Sequence, residues 1–322
     1  MDLRPEKLED FIGNDNTRQS LSIQISAAHK RKSPLPHTLF KGWFGCGKTT
    51  LSYLTSKAMN SKYHFLNAAT ISKKSQLIQV LSILEENDVL LIDEIHRLDI
   101  TLEELLYPVM EDYYLSIPTK SGIRELRIKP FTLMGATTDP GLLSGAFLSR
   151  FKSQYHLEPY SDENICEILK VNARKMGMNI TEKALLEIAK RSKRVPRIAN
   201  ARLEWLDDWR LHFNLTQIDY TDVVKAMLTR GIDDSGLEQD DRVYLAALST
   251  EKGTGLGTLS SMTGLTEETI MRTIEPFLVN KKIIRIERAG RFLLENAASY
   301  SQRADNERID YSLGTEDLET IL

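Results

Sequence analysis

The chain has 322 residues, 41% hydrophobic and 27% charged, with 42 Lys and Arg against 45 Asp and Glu. Such a composition excludes intrinsic disorder, no apolar run reaches the roughly 18 residues of a membrane span, and two cysteines are too few for a disulfide framework or a structural zinc site. The net charge of −3 leaves no global basic footprint, but residues 302–322 hold six acids and two bases, so the remainder balances at +1.

The length predicts two or three units, each with its own core. Met1–Asp10 is charged from its second residue and has no signal-peptide core, which predicts a cytoplasmic chain. His37–Phe40, His64–Ala68, Asp88–Ile92, Phe131–Gly135 and Tyr155–Leu157 read as strands separated by amphipathic helices, the pattern of an α/β fold with a wound parallel sheet. Within it, Tyr113–Pro118 and Ile123–Ile128 read as an inserted β-hairpin over 113–128. These elements make a first domain over 1–160. Beyond Tyr160 the strands stop. Ser161 with Asn164, Thr181 with Ala184, and Pro196 mark helix starts, which predicts an all-helical unit over 161–232. The turn-rich stretch Gly231–Gly236 reads as a linker. From 237 to 300, helices near Asp241–Leu248, Leu259–Met262 and Glu267–Val279 precede a hairpin of Ile283–Ile286 and Phe292–Leu294, the order of a winged helix. Residues 301–322 form an acidic tail. It suits either a docking peptide that orders on a partner protein or a frayed terminus.

Two motifs carry chemistry. Gly42-Trp43-Phe44-Gly45-Cys46-Gly47-Lys48-Thr49-Thr50 follows a strand and opens a helix, the setting in which glycine N–H groups cradle phosphates. There Lys48 would meet the β- and γ-phosphates of ATP and Thr49 would ligate Mg²⁺. The run Val89-Leu90-Leu91-Ile92 ends in Asp93 and Glu94, which a central strand would deliver to the sheet edge beside the P-loop. Asp93 fits a magnesium ligand and Glu94 a base for the attacking water. Near the far end, Lys281, Lys282, Arg285, Arg288 and Arg291 stand against Glu287 alone. That cluster suits DNA phosphate contacts without sequence readout, or is simply a solvated basic face.

Asp93-Glu94-Ile95-His96-Arg97-Leu98, Leu106-Tyr107-Pro108-Val109-Met110-Glu111-Asp112 and Gly135-Ala136-Thr137-Thr138 together resemble the RuvB family, AAA+ motors that drive branch migration of Holliday junctions. The opening Leu3–Gly13 and the later Pro196-Arg197-Ile198-Ala199-Asn200 are also similar, and about 300 residues match in collinear order. The resemblance implies an ATP hydrolase acting as a DNA helicase or translocase, in a hexameric homo-oligomeric ring. It implies that Thr138 senses the γ-phosphate, that Arg150 is an arginine finger reaching a neighbouring subunit's nucleotide, and that Arg197 is a second sensor on the lid. It further implies that Arg4 and Pro5 line the adenine site, and that the hairpin docks a RuvA-like partner. For either arginine, a surface salt bridge is the other reading.

The chain departs from the family pattern at several points. Trp43 and Phe44 replace the family's two P-loop prolines, and Cys46 replaces a hydrophobic residue. Cys46, beside a helix N-terminus, is either a thiol with lowered pKa or a small buried filler. Asp139 stands where the family has Arg, Leu148-Ser149-Arg150 replaces an Arg-Asp-Arg, and Arg194-Val195 replaces Gly-Thr. Two other functions remain open: an AAA+ loader or remodeller acting on a replication protein at DNA, and a nucleotide-sensing scaffold that hydrolyses slowly.

Overall fold

The computed structural model describes residues 3–119 and 122–294, which form two compact units, one running to Pro159 and the other starting at Tyr160. In the first, α1 (Asp15–Arg31) leads to β1 (Thr38–Gly42), α2 (Lys48–Ala58), β2 (Tyr63–Asn67), α3 (Lys74–Ser82), β3 (Val89–Asp93) and α4 (Ile100–Asp112). The hairpin β4 (Tyr114–Thr119) and β5 (Gly122–Arg127) follows, then β6 (Thr132–Thr137), α5 (Gly145–Leu148) and β7 (Ser153–Leu157). Five strands pair in parallel in the order β2-β3-β6-β1-β7. The β6 strand is buried at every position and β3 at every position but Asp93, because helices cover both faces of a parallel sheet. Their apolar runs therefore lack the alternation of a half-exposed strand.

The limits of all five strands differ from the sequence reading by one or two residues, two of them for a local reason. Asp88 precedes β3, since its carboxylate accepts from the Glu85 N–H at 2.9 Å and contacts His64 at 2.7 Å. The last strand begins at Ser153 because β7 is an edge strand, where exposed Gln154 and His156 alternate with buried partners. The hairpin pairs from Tyr114 opposite Arg127 to Thr119 opposite Gly122, and its turn residues lie outside the described residues.

His37, the residue before β1, is buried in this unit. Its Nε2 lies 3.1 Å from the Met110 carbonyl, and its Nδ1 accepts the Leu133 N–H at 2.8 Å, so both ring nitrogens are used by the neutral imidazole. Burial first, and Lys152 second, push its pKa down to about 4. The folded value lies below the usual 6.5, so the unfolded chain binds the extra proton first as pH falls. The stability contributed by neutral His37 is therefore fully present above pH 6.5 and falls between there and about 4, by about 3 kcal/mol. Denaturant melts at pH 7 and 4.5 should show that loss in the wild type and a flatter profile in His37→Gln; parallel profiles would refute it.

In the second unit, α6 (Asp162–Lys175), α7 (Glu182–Lys190), α8 (Pro196–His212) and α9 (Tyr220–Thr229) pack together. Ser161 caps α6 by accepting from the Asn164 N–H, and Thr181 caps α7 from the Ala184 N–H. The stretch 231–236 is a packed corner rather than an open linker. Asp233 accepts the N–H groups of Ser235 and Leu237, and Ile232 and Leu237 are buried. Gly236 has φ +80°, and a Cβ there would stand 2.6 Å from the Arg191 carbonyl oxygen, so only glycine fits.

The winged-helix order is α10 (Gln239–Ala246), α11 (Leu256–Thr263), α12 (Glu267–Thr269), a π turn at Ile270–Ile274, α13 (Glu275–Asn280), β8 (Ile284–Glu287) and β9 (Gly290–Leu293). The helix expected to run unbroken to Val279 is interrupted there. Pro276 has no N–H for the carbonyl one turn back, and its ring crowds that carbonyl; a wider π turn accommodates both. The acidic stretch 302–322 and the end of the third expected unit lie outside the described residues.

Candidate active site

The P-loop leaves β1 at Gly42 and enters α2 at Lys48. Gly42, Gly45 and Gly47 have φ of +145°, +73° and +98°, and a Cβ on Gly42 would meet the Leu157 carbonyl oxygen at 2.5 Å. The buried ammonium of Lys48 donates to the carbonyls of Gly42 and Trp43, each at 2.8 Å. Those loop carbonyls fix the ammonium within the P-loop. Cys46 is buried, and burial pushes its thiol up despite nearby Lys48, so the structure makes it the small filler and not a reactive thiolate.

Beside the loop, β3 and β6 end at the same sheet edge. The Thr49 hydroxyl donates to Asp93 Oδ2 at 3.1 Å, bringing together two hard oxygen donors suited to Mg²⁺. Asp93 Oδ1 accepts the Glu94 N–H at 3.1 Å, and Glu94 takes φ +50°. Thr138 Oγ1 donates to Glu94 Oε2 at 3.2 Å. Lys48, Thr49, Asp93, Glu94 and Thr138 thus converge from three adjacent strands, β1, β3 and β6, at the edge where open α/β folds collect ligands. A polar cradle, a lysine and an oxygen pair fit a magnesium-bound triphosphate. Thr50 lies in the first turn of α2, and Arg4 is close enough for its charge to act on Tyr63, whose hydroxyl meets Ser52 of α2 at 3.1 Å. Pro5 adjoins Arg4 on that strip.

Arg150 follows α5 and is held within its own chain. Its guanidinium donates to the Ala146 carbonyl at 2.6 Å and to Glu111 Oε1 at 3.1 Å, and lies 4.0 Å from the centre of the Tyr107 ring. Tyr107 and Glu111 are four apart on α4 and so share a face, a spacing visible in sequence although the pairing with Arg150 is not. A trans-acting role therefore requires a neighbouring copy to replace these contacts. Arg197 is exposed at the second position of α8 in the other unit.

The basic cluster divides. Lys281, Lys282, Arg285 and Arg288 are exposed around the end of α13 and the wing, with Arg285 3.1 Å from Glu287. Arg291 does not join them. Its Nε donates to buried Glu275 Oε1 at 2.8 Å, the oxygen that also accepts from the Tyr244 hydroxyl at 2.9 Å. That hydrogen bond raises the Arg291 pKa further, and removing the cation would leave a buried carboxylate unpaired. Arg291 is a structural cation, and the exposed DNA-facing candidates number one fewer than the sequence suggested.

Among the described residues no helix is long and apolar enough to cross a membrane. Family models for the Holliday junction DNA helicase RuvB P-loop domain, the RuvB AAA lid domain and the RuvB C-terminal winged helix domain match residues 3–157, 160–233 and 234–302. The chain is similar to the Holliday junction branch migration complex subunit RuvB of Helicobacter pylori, with 38% identity over 295 residues, 90% of this chain and 88% of that one. The Ehrlichia chaffeensis subunit is 39% identical over 308 residues, covering 92% of each. Among solved structures, the Thermotoga maritima RuvB Holliday junction branch migration motor superposes with a TM-score of 0.86 at 34% identity, covering 93% of this chain and 98% of that one. The α/β P-loop unit, the helical lid and the winged helix are thus the RuvB fold.

Proposed function

The chain belongs to the RuvB family of Holliday junction branch-migration motors, and we propose that it drives that movement by hydrolysing ATP, with Mg²⁺, at the P-loop edge of its sheet. The observation that carries this is the convergence of Lys48, the Thr49–Asp93 pair and the Glu94–Thr138 pair on one edge. Mg²⁺ held by Thr49 and Asp93 would neutralise charge on the phosphates. Lys48 exchanges its loop carbonyls for phosphate oxygens, the P-loop N–H groups orient the chain of phosphates, and Glu94 takes the proton of the attacking water. Thr138 holds Glu94 at rest and turns to the γ-phosphate when nucleotide binds.

The remaining assignments rest on the family. Arg150 acts as the finger in a hexameric ring, Arg197 as the second sensor, and Arg4 and Pro5 at the base. A RuvA-like protein docks on the hairpin. Two further assignments rest on composition and not on the family: the acidic tail is a second protein dock, and the motor works in the cytoplasm. Lys281, Lys282, Arg285 and Arg288 hold the DNA backbone. Replacing these four by Ala should weaken binding to every duplex alike and flatten the slope of log affinity against log salt by about 3 to 4. Fluorescence-anisotropy titrations on two unrelated sequences across a salt series read this directly. An unchanged slope would remove the wing from the DNA interface and favour the loader reading.

The proposal is tested by ATP turnover with and without junction DNA. Stimulation of wild-type turnover by DNA supports a motor; turnover indifferent to DNA excludes one.

A further inference from the structure

His96 occupies the short turn Ile95–Arg97 that follows Glu94, and its side chain is only 1% exposed. Its ring nitrogens make polar contacts with the catalytic edge and with residues adjoining it. Nδ1 lies 2.9 Å from Thr137 Oγ1 and 3.4 Å from Glu94 Oε2; Nε2 lies 3.7 Å from Asp139 Oδ2. Thr137 is the last residue of β6, fully buried, and its hydroxyl oxygen accepts the Asp139 N–H at 3.0 Å, so one end of the ring abuts a fixed point of the sheet.

A buried imidazole between two carboxylates is a costly way to fill space, because an apolar side chain of similar size would fill it without desolvating polar atoms. What the ring adds is a second hold on one atom. Glu94 Oε2 already accepts from Thr138 Oγ1 at 3.2 Å, and the His96 ring reaches the same oxygen from another strand-end. One hydrogen bond leaves a carboxylate able to swing about its terminal torsion, which is soft. Two directions of hold on one oxygen remove that swing and fix the plane in which the carboxylate meets its proton donor. The backbone contributes as well: Glu94 sits at φ +50°, with its N–H on Asp93 Oδ1 and its carbonyl accepting the Arg97 N–H at 2.8 Å.

We propose that His96 is a positioning residue for ATP hydrolysis: it holds Oε2 of Glu94 beside Thr138 in the resting site and keeps that hold when Thr138 turns to the γ-phosphate, while Thr137 fixes the imidazole at Nδ1 and Asp139 faces Nε2. The inference rests on the reading of Glu94 as the base. It gives Asp139 a function in this chain, as the acid facing the far nitrogen of the ring.

The test uses the full chain and three variants, with kcat and KM for ATP measured beside thermal unfolding. His96→Phe keeps the ring's volume and loses both nitrogens. In His96→Asn the amide falls near Nδ1 and keeps the reach to Thr137 and Glu94, whereas in His96→Gln it extends to the Nε2 end. His96→Phe and His96→Gln should lower kcat by roughly 10- to 100-fold with KM within about twofold, and His96→Asn should stay within about threefold of wild type. If His96→Phe fails to fold, the contrast between Asn and Gln decides. Equal kcat in Asn and Gln, or full turnover in Phe, overturns the clamp. A wild type that binds ATP without turning it over overturns the proposed reaction and the clamp with it, whereas normal turnover by wild type and His96→Gln alike overturns the clamp alone.

Discussion

Glu94→Gln is expected to lower ATP turnover by at least about 10²-fold while leaving ATP bound. The substitution keeps the shape of the side chain and an oxygen able to accept from Thr138, so the site's packing survives. It removes the negative charge and the basic lone pair that would receive the water's proton. Binding rests on other groups, the P-loop backbone, Lys48 and the Thr49–Asp93 pair, none of which the substitution touches. Steady-state phosphate release together with equilibrium nucleotide binding separates the two effects. Turnover within tenfold of wild type would place the base elsewhere, and lost binding would mean that Glu94 holds nucleotide instead of activating water.

Arg150→Ala carries the other large effect. An arginine that meets the transferring phosphoryl group is worth about 10³-fold or more in kcat. In the isolated chain Arg150 rests on Glu111, the Ala146 carbonyl and the Tyr107 ring, so it can contribute to hydrolysis only after assembly offers it a phosphate. Wild-type turnover per chain should therefore rise with protein concentration as rings form, and Arg150→Ala should remain low at every concentration even though it assembles. Sedimentation of both proteins, run beside the kinetics, distinguishes a missing finger from a missing ring. Wild-type rates in an assembled Arg150→Ala ring would show that its hold on Glu111 is its whole role.

What was legible in the sequence was local. The P-loop motif needs only a strand before it and a helix after it, and β3 and β6 are read from apolar runs that two covered faces demand. The capping residues Ser161 and Thr181 act over three positions and are equally readable. Pairings across the fold were not legible. Nothing near Arg291 announces that Glu275 and Tyr244 wait for it, and a count of cations along the wing therefore included one that is structural. Arg150 and Glu111 meet only because α4 and α5 pack together. His96 stood inside a recognised motif, yet its role depends on Thr137, Thr138 and Asp139 arriving from another strand. The π turn had a signal in Pro276, but a proline near a helix start is also ordinary at the first turn, so position alone did not reveal it.

In the proposed ring, one copy supplies Glu94 and its neighbour supplies Arg150 to the same nucleotide. Mixing Glu94→Gln chains with Arg150→Ala chains tests it, because each is inactive alone and each lacks what the other retains. In equal mixtures that assemble at random, about a quarter of the seams hold an intact Glu94 facing an intact Arg150. ATP turnover should recover toward that fraction of the wild-type rate; a mixture as inactive as its two components, although co-assembled, would mean that Glu94 and Arg150 do not meet at one nucleotide.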